Sequence, residues 1–397
     1  MNLAYLYPPI YWATAVITVE AGALDIEDAN GTNYAKVSAA IGRIQSEGYN
    51  IELPLINKAQ FAFTPDAANN IILYGLKGIS EVGDDFARSI INNRPYASVA
   101  DFIEKCKPQK KQMINLIKSG AFNEFGDRRN IMNEYLTSIT PKKARITLQN
   151  MGSLIEYSLI PKDLESYVFL YNFNKYIKKT ETPNGLKIDD RAQNFVDKHY
   201  PEFSGSRFIN SKEWDKKYKQ EMETLKNWFK ENEETLIESI QSNEVGKIWE
   251  QYCQGTDSAW EMEVLGFYHS GHELQNLKEN VKSISELEEG NYKTSDLIAG
   301  TVLGKDANKH TVTILTTDGV IILKLTAEKF AKYNRVISKV IDGTKKVLEK
   351  SWFNKGTLVL VNGFKMGETF RVKHMSKIID IDEFREIKST KYRHGEG

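Results

Sequence analysis

Two acidic pairs are the residues of this sequence whose types and spacing could do phosphoryl-transfer chemistry. They are Asp189-Asp190 and Asp380-Ile381-Asp382. Clustered carboxylates can hold two divalent cations, which stabilise the attacking and the leaving oxygen of an in-line displacement. The first pair lies in a charged helical region and the second lies beyond the last predicted strand, where acidic residues usually form a solvated surface. We therefore predict no catalytic residue and no metal site in this chain.

A second candidate is the His-x-x-His pair of His269 and His272, which could supply two ligands to a zinc ion. A structural zinc site needs about four Cys or His ligands, and no cluster in the sequence completes the set. The two cysteines, Cys106 and Cys253, are far apart, which argues against both a cysteine zinc site and a disulfide framework. Both histidines are therefore predicted to be structural.

The composition is that of a globular protein. The 397 residues are enough for two or three domains, and 41% hydrophobic with 27% charged residues is an ordinary balance. No apolar run approaches the roughly 20 residues that span a bilayer, so we expect a cytoplasmic protein with no membrane contact. Because the formal net charge is +0, binding to nucleic acid would have to come from a local basic patch.

The beginning of the sequence is densely aromatic. Tyr5–Trp12 runs directly into the apolar stretch Ala13–Val19, whereas chain termini are normally polar and frayed. The stretch reads either as the interior of a larger domain whose other part is missing or supplied by another chain, or as a segment docked into its own core. The pattern alone does not separate these two interpretations.

Helical periodicity dominates the first 290 residues. Apolar spacing predicts a helix over 34–47, which Gly48 ends as a C-cap. Further helices are predicted over 84–91, 99–105, 110–118 and, as one or two long helices with solvated charged faces, 214–240.

The character of the sequence changes near Ser295, where β-branched segments separated by turn signals begin. Strands are predicted over 298–303, 311–316, 320–325, 357–363 and 370–381, with a helix over 327–337. Five strands with one helix after the third is the order of an OB-fold barrel. The predicted fold class is therefore multidomain and mainly α, followed by a C-terminal β-barrel OB-fold.

Three stretches, in the right order, resemble the alpha (catalytic) subunit of bacterial DNA polymerase III, a C-family replicative polymerase. Tyr7–Glu20 (YPPIYWATAVITVE), continued by Gly48, Ile51, Leu53, Pro54, Asn57 and Phe61, is similar to the family's fingers domain. Ile72–Asp127 resembles its helix-hairpin-helix region and contains the ending Leu-Ile-x-x-Gly-Ala-Phe-Asn. Glu263–His272 resembles the Glu-Val-Leu-Gly-Phe-Tyr-x-Ser-Gly-His element that precedes the family's OB domain.

The resemblance implies four domains. They are the C-terminal part of the fingers at 1–62, a helix-hairpin-helix module at 63–140, a charged helical connector at 141–290 and an OB-fold at 291–397. The family's palm aspartates lie N-terminal to everything matched. The resemblance thus implies a DNA-handling piece without its own catalytic aspartates, with no cofactor in this chain and Mg²⁺ expected in the palm domain of a partner chain.

The hairpin departs from the family pattern. It reads Ile79-Ser80-Glu81-Val82-Gly83, followed by Asp84 and Asp85, where the family usually has Ile-Lys-Gly-Val-Gly. Such hairpins offer backbone N–H groups to a phosphate of the duplex, and nearby carboxylates repel it. We expect weak duplex binding, or a hairpin that is kept only for packing. The residues predicted to contact DNA here are Lys77, Gly78, Gly83 and Arg88.

The barrel is the stronger candidate for contact with a single-stranded template. OB-folds bind single strands through a basic groove and aromatic platforms, and each stacked base contributes about 1–3 kcal/mol. The alternative is a barrel covered with lysines for solubility. The predicted contacts are Lys305, Lys309, His310, Lys324, Tyr333, Trp352 and Lys373.

The functional hypothesis is a chain that positions primer–template and single-stranded DNA for a palm-bearing polymerase chain. Whether it takes part in nucleotidyl transfer then depends on that partner. The family also docks on a sliding clamp through a Gln-x-x-Leu/Met-Phe-like peptide, of which Gln149, Met151 and Leu154 are a poor approximation. The alternative function is a stand-alone DNA-binding or regulatory protein derived from a polymerase fragment.

Overall fold

The computed structural model describes residues 7–21, 34–174, 177–179, 185–203, 208–275, 281–341 and 344–378. The sequence candidates Tyr5, Asp380 and Asp382 lie outside the described residues. Within the described part, no helix has the length and apolar character needed to span a membrane. The chain divides into two compact units. Unit 1 contains the residues up to Met132 and those from Gly255 onward, and unit 2 is Asn133–Gln254.

The helices follow the periodicity of the sequence, and those predicted over 34–47, 84–91, 99–105 and 110–118 appear within one residue of their expected ends. The region predicted over 214–240 is two helices that extend from 211 to 252, and the helix predicted over 327–337 ends three residues earlier. Gly48 has a left-handed φ of +90° just after α2, as a C-cap requires. Ser98 caps α4 by accepting a hydrogen bond from the Asp101 N–H at 3.1 Å. The helices are α1 (Pro9–Glu20), α2 (Tyr34–Ser46), α3 (Asp84–Asn92), α4 (Val99–Cys106), α5 (Lys110–Lys118), α6 (Arg128–Ile139), α7 (Met151–Glu156), α8 (Glu165–Phe173), α9 (Asp190–His199), α10 (Ser211–Glu231), α11 (Glu233–Tyr252), α12 (Asp257–Leu265) and α13 (Ala327–Asn334).

A small sheet leads into the hairpin of unit 1. β1 (Asn50–Glu52) pairs in parallel with β3 (Ile71–Leu73), which pairs antiparallel with β2 (Thr64–Asp66). Ile51 and Ile72 are register partners and both are buried. The chain then makes a single 3₁₀ turn, Leu76–Gly78, before it enters α3.

Unit 2 overlaps the charged helical connector predicted over 141–290, and it is not only helical. It contains a three-stranded antiparallel sheet of β4 (Ile177–Lys179), β5 (Gly185–Ile188) and β6 (Phe208–Asn210) in that order. Strands of three or four residues are too short to show a clear alternation of apolar and polar residues, which explains the error. The unit has its own hydrophobic core around Trp214, Leu225 and Phe229.

The end of unit 1 is a closed five-stranded barrel. Its strands are β7 (Asp296–Asp306), β8 (Thr311–Leu315), β9 (Val320–Lys324), β12 (Leu358–Met366) and β13 (Thr369–Lys377), with β10 (Ile337–Ile341) and β11 (Thr344–Glu349) forming a separate hairpin. The barrel order is β12-β13-β9-β8-β7, β12 closes antiparallel on β7, and β13 runs parallel to β9. This strand order, with α13 after the third barrel strand, is that of an OB-fold and confirms the predicted fold class.

The barrel differs from the prediction in its details. β7 is longer than expected, and the β10–β11 hairpin between α13 and β12 was not predicted. β12 shifts register against β13 between Asn362 and Gly363. Gly363 lies so close to the Arg371 carbonyl oxygen that any Cβ at this position would clash with it, which is the close backbone approach that glycine permits.

Candidate nucleic-acid interface

The second and third of the stretches that carry the family resemblance pack together around the buried side chain of Tyr74. Its ring stacks on Phe267, with centroids 5.5 Å apart, and meets the edge of Phe63 at 4.6 Å. Its hydroxyl donates a hydrogen bond to the Leu265 carbonyl oxygen at 2.7 Å. Burial raises the pKa of Tyr74 well above its ordinary value, so the phenol stays protonated and keeps donating. These two motifs therefore form one packed core, although they are nearly 200 positions apart in sequence.

A buried ion pair joins the end of the hairpin module to the segment that enters the barrel. Arg128, 6% exposed, donates from Nη1 to Oε1 of Glu261, 0% exposed, at 2.8 Å. Arg128 also donates to Asn123, and Glu261 accepts the backbone N–H groups of His269 and Ser270 at 2.8 Å. These partners satisfy both charges, which is the condition under which a buried pair is tolerated.

Two lysines are also held in this region and are not free surface charges. Lys118 is 2% exposed, and its Nζ lies 2.6 Å from Oε2 of Glu263. Lys355 donates to the Glu263 carbonyl oxygen at 2.7 Å and lies over the Tyr34 ring, 3.3 Å from its centroid. Burial lowers the pKa of the Lys355 ammonium to about 7.

His272 connects this core to the barrel. Its Nδ1 accepts the Leu274 N–H at 3.0 Å, so the proton of the neutral ring is on Nε2, which lies 3.3 Å from the Leu315 carbonyl oxygen of β8. His269 lies 3.5 Å from a carboxylate oxygen of Glu52. Among the described residues, no cluster of three or more His, Cys, Asp or Glu could hold a metal ion. The contacts therefore support a structural role for His272.

The stability of unit 1 is expected to depend on pH through His272. Burial lowers its folded-state pKa from 6.5 to about 4. The unfolded state therefore binds the proton more tightly, and the free energy of unfolding falls as pH drops from about 6.5 to about 4, by up to roughly 3 kcal/mol. His272→Gln keeps one acceptor and one donor without the titration. Urea denaturation across this pH range should show a shallower fall for the variant, and equal slopes would contradict the assignment.

The predicted hairpin residues are mostly engaged within the protein. Lys77 forms an ion pair with Asp84, and the Arg88 guanidinium lies over the Phe61 ring at 4.7 Å. A Cβ at Gly78 would come within 2.6 Å of the Tyr74 ring, whereas one at Gly83 would meet nothing within 4 Å. These contacts favour the packing interpretation of this hairpin, and its contact with DNA stays a prediction.

Six of the predicted barrel residues gather around α13. Lys309 and His310 form the β7–β8 turn, where the Lys309 carbonyl oxygen accepts from Nζ of Lys324. His310 packs against Phe330, with ring centroids 5.5 Å apart. Lys305 donates to Oδ1 of Asn334, at the end of α13, at 2.6 Å. Lys309 has 77% of its side chain exposed and lies 3.8 Å from a carboxylate oxygen of Asp306.

The aromatic pair at the C-terminal end of α13 corrects one prediction. Tyr333 is 5% exposed, and its hydroxyl accepts the Met375 N–H at 3.3 Å. Trp352 stacks on it, with centroids 4.9 Å apart, and is half-buried. Tyr333 is therefore a core residue that supports Trp352 and offers no open face for a base.

Lys373, the seventh predicted barrel residue, does not contact α13 in the same way as the other six. Its ammonium donates to the Thr294 carbonyl oxygen and lies 5.8 Å from the Phe364 ring centroid.

An open cleft of about 650 Å³ lies between α2 and the outer face of β7, β8 and β9. Lys305 lines it together with residues that sequence reasoning missed, notably Tyr34 and Lys36 from α2 and Ile322 from β9, which is 41% exposed. The acids Asp306 and Glu368 line it too. Nothing in the periodicity of α2 indicated that its polar face meets the barrel.

Comparison with known proteins places these features in a family. Residues 48–132 match the family model of the helix-hairpin-helix motif. The chain is 37% identical over 412 residues to "DNA-directed DNA polymerase" of Bacillus phage SPbeta and to "Probable DNA polymerase YorL" of Bacillus subtilis (strain 168). It is also 28% identical over 131 residues to DNA polymerase III subunit alpha of Thermus aquaticus, covering 31% of this chain and 10% of that protein.

The chain is homologous to the C-terminal region of DNA polymerase III alpha subunits. This confirms the resemblance drawn from the three sequence stretches. The alignments to the phage and Bacillus polymerases cover 93% of this chain but only 31% of each of them, so the chain spans less than a third of their length.

The approximate clamp-binding peptide is not available on the surface. Met151 and Leu154 are both 0% exposed and belong to the core of unit 2. A docking peptide must insert apolar side chains into its partner, and these two already pack inside their own unit. The structure therefore removes this peptide as the clamp contact.

Proposed function

We propose that this chain is a DNA-handling part of a polymerase III alpha-type polymerase, which positions primer–template and single-stranded template for a palm domain carried by another chain. The observation that carries the proposal is a closed barrel with OB-fold strand order in a chain homologous to these polymerases. The catalytic carboxylates and their Mg²⁺ would belong to the partner.

The barrel offers the surface for a single strand. OB-folds bind oligonucleotides on the face of their second and third strands and at the adjoining loops. Here that face is the cleft between β7–β9 and α2, and the adjoining turn carries the exposed Lys309. Trp352 provides a half-exposed aromatic ring, and Tyr333 stacks on one of its faces. A strand would run between these groups.

The duplex would contact a different turn from the predicted hairpin. The connection between α4 and α5 carries the exposed residues Lys107, Lys110 and Lys111, and Lys107 has a left-handed φ of +46°. Lys111 lies 3.9 Å from a carboxylate oxygen of Glu81, so the lysines of this turn, followed by the first N–H groups of α5, have to outweigh that acid when they bind a phosphate. This assignment is part of the proposal.

The outer face of α1 supports the need for a partner. Tyr11, Trp12 and Val19 are 44%, 74% and 57% exposed, and Ala15, also exposed, completes the stripe. Exposed apolar patches of this kind mark interaction surfaces. We assign the palm-bearing chain as its occupant.

Substitution of Lys309 and Trp352 tests the barrel part of the proposal. Trp352→Ala is expected to weaken binding of an oligodeoxythymidylate by about five-fold or more, since a stacked base is lost. Lys309→Ala should reduce the dependence of log affinity on log salt by about 0.7, the value for one released phosphate contact on a single strand. Fluorescence anisotropy across a salt series measures both.

Lys226→Ala in unit 2, which removes an exposed lysine paired with Glu223, is the control and should change neither quantity. Unchanged binding after both barrel substitutions would remove the barrel from the account. Normal DNA binding by a chain that recruits no polymerase partner would instead favour the stand-alone DNA-binding protein.

A further inference from the structure

We propose that the outer face of the β4–β5–β6 sheet in unit 2 binds single-stranded nucleic acid. The inference goes beyond the proposed function, which places DNA on the barrel and the helical turns of unit 1. It rests on that function only in that the chain handles single strands. Unit 2 has so far only a hydrophobic core and no assigned role.

The two faces of this sheet are sharply different. Leu186, Ile188 and Ile209 point inward and are 6%, 2% and 5% exposed in the core of unit 2. The alternate residues Lys187 and Phe208 point outward and are exposed. They are direct register partners on β5 and β6, so their side chains leave the same face side by side.

The charge of the sheet suits a polyanion. The three strands contain no acidic residue, and Lys178 and Lys187 hold register positions on the face that carries Phe208, whereas Lys179 is the register partner of the inward-facing Leu186. The backbone register pairs Lys178 with Lys187, which is in turn paired with Phe208. A single-strand site without sequence preference has two parts. Lysines contact the phosphates of the nucleic acid, and a neighbouring aromatic ring stacks on its bases.

Phe208 is the feature that needs an explanation. Its side chain is 61% exposed, although burial of a phenylalanine would stabilise the fold. The ring is held on a fixed support, because Ile209 anchors β6 in the core and Asn210 caps α10 by accepting the Lys212 N–H at 2.9 Å. Because the backbone on both sides of the sheet position is held, stacking of a base on the ring has to order only its side-chain torsions.

Cross-linking of the full chain to a single strand locates the site. The probe is an oligodeoxythymidylate that contains 5-iodouracil, and the cross-linked peptides are identified by mass spectrometry. The proposal expects a cross-link in the peptide that contains Phe208, in addition to those in the barrel. Phe208→Ala should abolish it, and Phe169→Ala, which removes another half-exposed phenylalanine of unit 2, should leave it unchanged.

Affinity in a barrel-deficient background gives the second readout. In the Lys309→Ala/Trp352→Ala chain, Phe208→Ala should weaken the remaining binding by about five-fold or more, and Lys187→Ala should lower the salt dependence by about 0.7. Lys162→Ala, at an exposed lysine on a 3₁₀ turn of unit 2, should do neither.

The outcomes separate this proposal from the barrel assignment. Cross-links confined to unit 1, with affinity unaffected by Phe208→Ala, would overturn the sheet site and leave the barrel in place. Cross-links at Phe208 with no effect of the barrel substitutions would do the reverse. A wild-type chain that binds no single strand would overturn both.

Discussion

Replacement of Glu261 by glutamine is expected to lower the free energy of unfolding of unit 1 by about 3–5 kcal/mol. The Glu261 carboxylate is 0% exposed. It accepts hydrogen bonds from the Arg128 guanidinium, the Ser270 hydroxyl and the N–H groups of His269 and Ser270. Glutamine keeps the shape but removes the charge, which leaves the Arg128 cation buried and uncompensated. Urea denaturation followed by hydrogen exchange of the peptide 257–265 measures the change, with peptides of unit 2 as an internal reference.

Two variants make this test specific. Lys309→Ala removes a lysine that is 77% exposed and lies 3.8 Å from Asp306, and should change stability by no more than about 0.5 kcal/mol. Arg128→Met combined with Glu261→Gln should be less destabilised than the sum of the single changes, because no unpaired charge remains. A Glu261→Gln chain within about 0.5 kcal/mol of the wild type would show that the pair does not hold the hairpin module to the barrel segment.

The barrel could be predicted from the sequence because each strand carries its own signal. Alternation in β8 places Val312 and Ile314 inside, and Asp318-Gly319 marks the following turn. The β10–β11 hairpin was missed because its lysine-rich strands resemble a basic loop. The β4–β6 sheet was missed because three or four residues are too few for a period-2 pattern to appear.

The contacts of the candidate sites could be predicted only in part. The family motifs contain Tyr74 and Phe267 in separate stretches, and the structure shows that the two rings stack in one aromatic core. The Arg128–Glu261 pair spans 133 positions, and no local pattern joins two such charges. An aromatic residue in a basic segment can be either a stacking platform for a base or a core residue. The sequence alone does not distinguish the two, whereas the burial of Tyr333 does.

The largest effect on primer extension is expected when a palm-bearing chain is added to this chain. Phosphoryl transfer needs two metals held by clustered carboxylates, and the described residues hold no such cluster. If another chain carries the palm domain, as proposed, this chain alone should not extend a primer, while the pair should do so in Mg²⁺. The exposed stripe of α1 is the expected contact. Trp12→Ala should reduce recovery of the partner by at least about ten-fold, as expected for a central interface tryptophan.

Tyr292→Ala is the matched control, because Tyr292 is 76% exposed and lies outside that stripe. Its variant should recover the partner as well as the wild type does. If Trp12→Ala recovers the partner as well as the wild type does, the contact with the partner does not involve this face of α1. The DNA-binding assignment would be unaffected.

The most direct test of the central claim is capture of the tagged chain from the cells that make it, identification of its partners by mass spectrometry, and a primer-extension assay of the purified complex. The account predicts a partner polypeptide with an Asp-x-Asp palm and Mg²⁺-dependent extension by the pair. Recovery of a monomeric chain with no such partner, and no extension, would contradict it.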